Sequence, residues 1–175
     1  MLICPYCDAE VIEGADACDT CLQPLTEMFI SVPASSVERA LMRDTVNELA
    51  TRPHGSVPIE TPVGEVLRSM VDSSVGCVTV LDDTGRLAGI FSERDAVLRI
   101  GPSAAEYAHL PIARFMTPNP TVIEAGAKIA HALQLMDVGG YRHLPVIDDD
   151  RRPVKMISIR DILAYLTSHS SPVTQ

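Results

Sequence analysis

Four of the five cysteines stand in two Cys-x-x-Cys pairs, Cys4/Cys7 and Cys18/Cys21, with ten residues between the pairs. Each pair can present two thiolates from one tight turn. Two such turns can supply the tetrahedral sulfur set that zinc takes in closed structural sites. Two disulfides would require an oxidising compartment, for which nothing in the sequence argues. A redox Cys-x-x-Cys would need a thioredoxin-like βαβ setting, which 27 residues cannot supply. A metal held by four thiolates leaves no open position, so metal catalysis is not expected. Cys77 lies in the apolar run from Val75 to Leu81 and reads as a small core residue.

Over about residues 3–25 this head resembles a short zinc ribbon. Iron, held by similar turns in rubredoxin-like sites, is the alternative metal. Zinc ribbons often contact nucleic acid, but residues 1–27 carry Asp8, Glu10, Glu13, Asp16, Asp19 and Glu27 and no Lys or Arg. Such a surface repels phosphate, so a protein target or self-association is the expected partner of the head.

A second group of polar residues recurs: Ser92-Glu93-Arg94-Asp95 and Ser158-Ile159-Arg160-Asp161. Shifted by 66 positions, residues 61–98 lie over 127–164 without a gap, and nine pairs are identical, including Leu67/Leu133, Met70/Met136, Asp82/Asp148, Ser92/Ser158 and Asp95/Asp161. A duplication fixes architecture before anything else does. Ser-x-x-Asp before an apolar run has the form of a capping box, and a helix cap alone would keep both residues. From the local pattern, capping and ligand binding stand equal.

The elements that carry these motifs follow one order in both copies. Ser56-Val57-Pro58-Ile59 reads as a short strand held to an edge by Pro58. Thr61-Pro62 starts a helix with Thr as N-cap and Pro at its first position, and Val63, Val66, Leu67, Met70 and Val71 recur at helical spacing. Gly76 to Leu81 is a strand, Asp82-Asp83-Thr84-Gly85 a turn, Arg86 to Phe91 the return strand, and Ser92 caps a helix towards Ile100. In the second copy Thr121 to Glu124 reads as a strand. Ile129, Leu133 and Met136 mark a helix, with strands at His143–Ile147 and Val154–Ile157. The last helix presents Ile159, Ile162, Leu163 and Leu166. Ahead of both copies, residues 28–32 are apolar and end at Pro33. Ser35 and Glu38 form a capping box, and Val37, Leu41, Val46 and Leu49 suit one helix stopped near Arg52-Pro53. Pro111 to Met116 reads as a short helix in the connection.

At 175 residues the chain suits one domain with a small appendage, and 46% apolar content is that of a globular protein. A net charge of −9 argues against general nucleic-acid binding. No apolar run approaches the roughly 20 residues of a membrane span, and no export signal is visible, so a cytoplasmic location is expected. No nucleophile–base pair, open metal site or Walker-type loop is evident, so the chain is not expected to be an enzyme.

With these motifs the chain resembles a tandem pair of cystathionine-β-synthase (CBS) domains over about residues 40–168. The resemblance rests on Gly89-Ile90-Phe91-Ser92-x-x-Asp95 and its copy ending Ser158-x-x-Asp161. It rests also on Tyr141-Arg142-His143-Leu144-Pro145-Val146-Ile147-Asp148 and on Arg114-Phe115-Met116-Thr117-x-Asn119-Pro120. It implies an α+β fold of two β-α-β-β-α repeats packed with pseudo-two-fold symmetry, behind the zinc ribbon. The expected boundaries are 1–27 for the ribbon, 28–43 for a linker and helix, 44–108 and 109–168 for the repeats, and 169–175 for a tail. Family members commonly dimerise, bind AMP, ADP, ATP or S-adenosylmethionine, and regulate an enzyme or transporter.

Carried onto this sequence, the resemblance implies that Asp161 accepts hydrogen bonds from a ribose cis-diol while Ser158 sits at a helix N-terminus suited to phosphate. Arg142 and His143 match the family's phosphate-reaching basic pair. Val122, Ile123 and Ile157 would line an adenine slot beside the backbone near Thr121, and Arg94 and Arg160 would assist phosphate. Gly76-Cys77 replaces Arg142-His143 in the first copy, and Lys155 stands where the first copy has Gly89. One good adenine-nucleotide site at Ser158 and Asp161 is therefore expected, with a weaker one at Ser92 and Asp95. A ligand-free dimerisation scaffold is the alternative.

Overall fold

The structure, a computed structural model, describes residues 2–12, 14–25, 36–52 and 54–170. The apolar stretch 28–32, the Ser35 arm of the capping box and the tail beyond 170 lie outside the described residues. In the head, β1 (Leu2–Ile3) pairs antiparallel with β2 (Glu10–Val11). Next come α1 (Ser36–Arg43) and a 3-10 turn at Val46–Glu48. The first repeat comprises β3 (Gly55–Pro58), α2 (Val63–Asp72), β4 (Cys77–Leu81), β5 (Leu87–Ser92) and α3 (Glu93–Asp95), which widens into a π turn at Ala96–Ile100. The connection holds α4 (Ala104–Tyr107), a 3-10 turn at Ile112–Arg114 and β6 (Thr117–Pro118). The second repeat comprises β7 (Ile123–Glu124), α5 (Ile129–Gly139), β8 (His143–Ile147), β9 (Pro153–Ser158) and α6 (Ile159–His169). The expected β-α-β-β-α order is present twice.

The chain divides into two compact units. One contains Met1–Thr51, Ile123–Leu144 and Ile157–Gln175; the other contains Arg52–Val122 and Pro145–Met156. In the second of these, β3, β4, β5 and β6 form a four-stranded sheet in that order. β3 lies parallel to β4, as a helical crossover through α2 permits, and β5 and β6 add antiparallel. Pro58 ends the edge strand β3, where a missing N–H does no harm. Val63, Val66, Met70, Val78, Val80, Phe91, Ile100, Ile112 and Phe115 pack as its core, and the buried Thr79 hydroxyl is met by Ser56 Oγ at 2.8 Å.

The turn after β4 is held by Asp82, whose Oδ1 accepts from the Thr84 and Arg86 N–H groups at 2.8 and 3.0 Å. Asp148 repeats this with the Asp150 and Arg152 N–H groups at 3.0 and 2.8 Å. That side-chain-built turn explains the identity of the Asp82 and Asp148 positions across the duplication.

Three expectations change. Thr61 does not cap α2: the N-cap position is Pro62 and no side chain bonds there. The free N–H groups of Val63 and Gly64 instead donate to the Leu110 and Ala108 carbonyls at 2.8 and 3.0 Å, so crossing backbone replaces the cap. The leading helix stops at Arg43, well short of Arg52. Thr45 is extended (φ −97°, ψ 165°) and caps its own 3-10 turn with Glu48, so Val46 and Leu49 reach the core from a separate segment. In α6 the buried face is Ile162 and Tyr165, while Leu163 is 55% exposed. The Asp44 carboxylate accepts the Tyr165 hydroxyl at 2.5 Å on that buried side.

The replaced cap of α2 and the early end of α1 share one cause. In the first unit Val46 N–H donates to Ala127 O at 2.8 Å and Ile129 N–H to Asp44 O at 3.0 Å. In the second, Ile112 N–H donates to Thr61 O at 2.9 Å and Val63 N–H to Leu110 O at 2.8 Å. Every partner here is 66 residues from its counterpart. The segment leading into each repeat therefore closes the first helix of the other repeat.

Candidate functional site

Both Ser-x-x-Asp motifs form complete capping boxes. Ser158 is extended (φ −123°, ψ 162°), its Oγ accepts the Asp161 N–H at 3.3 Å, and Asp161 Oδ2 accepts the Ser158 N–H and hydroxyl, each at 2.7 Å. Ser92 and Asp95 repeat this at 3.3, 3.0 and 2.6 Å. The next N–H in each copy is also tied back, Ile159 to the Arg142 carbonyl and Glu93 to the Gly76 carbonyl, both at 3.0 Å. The start of α6 is thus built from the same residues that the resemblance marks for a ligand.

The copies diverge at the other carboxylate oxygen. Asp95 Oδ1 accepts the Thr117 hydroxyl at 3.1 Å and pairs with Arg99 Nε at 3.3 Å. Among the described residues Asp161 Oδ1 accepts no hydrogen bond. The position matching Arg99 is Tyr165, whose hydroxyl is committed to Asp44. The Arg142 and Arg160 side chains are exposed and make no ion pair among the described residues. His143, half-buried, occupies the place that Cys77 takes in the first copy. Cys77 is 3% exposed, and burial, reinforced by Asp95 and Glu93, pushes its thiol up to about 12, so it is an inert core thiol as expected. A Cβ on Gly76 would meet the Glu93 carboxyl at 3.4 Å, so the first copy sets an acid beside the position where the second carries Arg142.

Ile123, Arg142, His143, Ile157, Ser158, Arg160 and Asp161 belong to one unit; Thr121, Val122, Ser92, Arg94 and Asp95 belong to the other. Ile157 is fully buried and Ile123 is 4% exposed, whereas Thr121 and Val122 are half-buried. Arg94 is exposed. Arg99 and Thr117 escaped the sequence reading as site residues. The i,i+4 spacing of Asp95 and Arg99 was the available signal; the reach to Thr117 depends on β6 pairing with β5.

The four head thiols converge. Their Sγ atoms lie within 4.8 Å of one another, with Cys4–Cys21 at 3.6 Å and Cys7–Cys18 at 3.7 Å. A tetrahedron with metal–sulfur bonds of about 2.3 Å has edges of about 3.8 Å, so the donor set fits one tetrahedral ion. A disulfide needs sulfurs at about 2.05 Å. Two like turns make the cage: Asp8 N–H donates to Cys4 O at 3.0 Å and Leu22 N–H to Cys18 O at 2.7 Å, with Asp8 and Leu22 both at positive φ. Burial raises the Cys18 thiol, but the Cys21 and Thr20 N–H groups outweigh it and hold the thiol at about 7. Burial pushes Cys21 up. The cage is docked on α5: Lys128 Nζ pairs with Asp8 at 2.6 Å and donates to Pro5 O at 3.4 Å, and Gln23 donates to Gln134.

A model of the CBS domain matches residues 46–101 and 112–168, most of the chain. This chain belongs to the CBS-domain family. A meiotically up-regulated protein of Schizosaccharomyces pombe is 33% identical over 103 residues, which cover 59% of this chain but only 14% of that relative's length. Among solved structures, a CBS-domain protein of Agrobacterium tumefaciens is 26% identical, covers 70% of this chain and 98% of its own, and superposes with a TM-score of 0.63. A CBS domain protein of Pyrobaculum aerophilum, solved in complex with AMP, is 25% identical, covers 71% and 99%, and has a TM-score of 0.61. The fold is therefore α+β with two CBS repeats, and the four-cysteine cluster is consistent with the expected ribbon. Among the described residues no helix is long and apolar enough to cross a membrane.

Proposed function

We propose that this chain is a regulatory CBS pair that binds an adenosine-containing ligand at the start of α6, with a zinc-loaded head as its docking element. The observation that carries the reading is Asp161 Oδ1, which accepts no hydrogen bond among the described residues. One carboxylate oxygen is spent on the cap, and its twin remains as an acceptor for ribose hydroxyls. Capping and binding are thus compatible, because each oxygen has its own task. Arg142, Arg160 and the Ser158 end of the 11-residue α6 supply positive charge for a phosphate. The AMP complex of the Pyrobaculum relative supports this ligand class. In the head, four thiolates suit zinc, which holds the two turns together and supplies no reaction.

Calorimetric titration of the full chain with AMP, ATP and S-adenosylmethionine, alongside thermal melts, tests the reading. One equivalent of at least one ligand should bind and raise Tm, because a ligand held only by the folded state stabilises it. Tm unchanged at millimolar concentrations of all three would favour the ligand-free scaffold.

A further inference from the structure

In the first repeat the carboxylate matching Asp161 already has an occupant. Arg99, four residues after Asp95, sets Nε 3.3 Å from Asp95 Oδ1. Its remaining nitrogens donate to the Phe115 carbonyl at 2.9 Å, to the Met116 carbonyl, and to Thr117 Oγ1 at 3.1 Å. The Thr117 hydroxyl then donates to the same Asp95 oxygen at 3.1 Å. Two donors on one carboxylate oxygen reproduce what the paired hydroxyls of a cis-diol would present. The planar guanidinium, satisfied by backbone and side chain at once, is held in place and not merely solvated.

We propose that Arg99 and Thr117 act as an internal ligand that occupies Asp95 and closes the first-repeat site, making the pair single-sited. This rests on the reading of Ser-x-x-Asp as a ribose grip. The second repeat lacks the device because Tyr165 stands at the Arg99 position and is held by Asp44. The chemistry around Asp95 also sets what an opened site would take. Glu93 lies beside Gly76, the position where the second copy carries Arg142, so an opened site favours an uncharged nucleoside over a phosphate.

Equilibrium dialysis of the full chain with radiolabelled adenosine and AMP, on wild type, Arg99→Ala, Asp161→Asn and the double variant, tests the idea. Thermal melts confirm folding. Wild type should bind one equivalent of AMP, and Arg99→Ala should gain a second equivalent for adenosine, at least tenfold tighter than for AMP at that site. The double variant should keep only the new site. One equivalent of either compound in both wild type and Arg99→Ala overturns the internal ligand while leaving the Asp161 site standing. Two equivalents in wild type, or a site lost in Arg99→Ala, also overturn it. No binding by any variant overturns both readings. If Arg99→Ala does not fold, Thr117→Val removes one of the two donors, and the same gain or its absence decides.

Discussion

Replacing Asp161 by Asn separates the two tasks assigned to this side chain. The amide oxygen can still accept the Ser158 N–H, which the carboxylate takes at 2.7 Å, and Ser158 Oγ can still accept the Asp161 N–H, so the start of α6 keeps both arms of its cap. What is lost there is the negative charge at a helix N-terminus, which contributes about 0.3–1 kcal/mol. On the ligand side the change is larger, because the second oxygen becomes an NH₂ group that cannot accept from a hydroxyl. A hydrogen bond to a charged group contributes about 1.5–3 kcal/mol, so affinity for AMP should fall about 10- to 150-fold. Urea unfolding and calorimetry on the same preparations read the two effects separately. An AMP dissociation constant within about threefold of wild type, in a folded variant, would refute the grip and leave Asp161 a helix cap alone.

Other outcomes follow from the packing. Gly89→Ala should destabilise the chain: a Cβ there would lie 2.6 Å from Met116 Sδ and 2.8 Å from the Thr117 carbonyl, and overpacking costs about 1–3 kcal/mol, offset by about 0.4–1 kcal/mol through the unfolded chain. Urea denaturation measures the difference. Elemental analysis should find one zinc per chain, and Cys18→Ser should lose it. Hydrogen exchange should then speed up across residues 2–25 while α2 and β4 stay protected. Burial lowers the pKa of His54 and of His131 below their ordinary value of about 6.5. The unfolded chain then binds more protons than the folded one between the folded and unfolded pKa values, so this stability is present above about pH 6.5 and is lost as pH falls through the folded pKa values. Urea midpoints at pH 7.5 and 5.0 should show the drop, and His131→Gln should reduce it.

Much of the fold was legible because its determinants are local. From Leu144 to Ile147 β8 is an unbroken apolar run, buried throughout, and strand length follows from the run. Asp82 and Asp148 build their turns with their own carboxylates, so the turn positions could be read from the residues that make them. Each Cys-x-x-Cys pair was legible because its turn closes on itself. The leading helix misled for a matching reason. Val37, Leu41, Val46 and Leu49 share a helical spacing, but Thr45 and Glu48 form their own local box and interrupt it. Leu163 misled because apolar periodicity does not report which face is covered. Here the covered face carries Ile162 and Tyr165, whose hydroxyl reaches Asp44 far off in the chain.

By itself the sequence determined the duplication, the order of elements within each copy, the two Cys-x-x-Cys turns and the two Ser-x-x-Asp boxes, since each turn and each box rests on contacts a few residues apart. Only the tertiary structure decided which segment closes which helix and how the two boxes differ. Residues 44–46 meet 127–129, and 110–112 meet 61–63, through backbone groups whose pairing leaves no mark on side-chain type. The same long-range placement brings Thr117 and Arg99 to one oxygen of Asp95, while among the described residues nothing donates to the matching oxygen of Asp161. Two motifs alike in letters thus become unlike in chemistry, because a carboxylate's free valence depends on which donors the rest of the chain delivers to it.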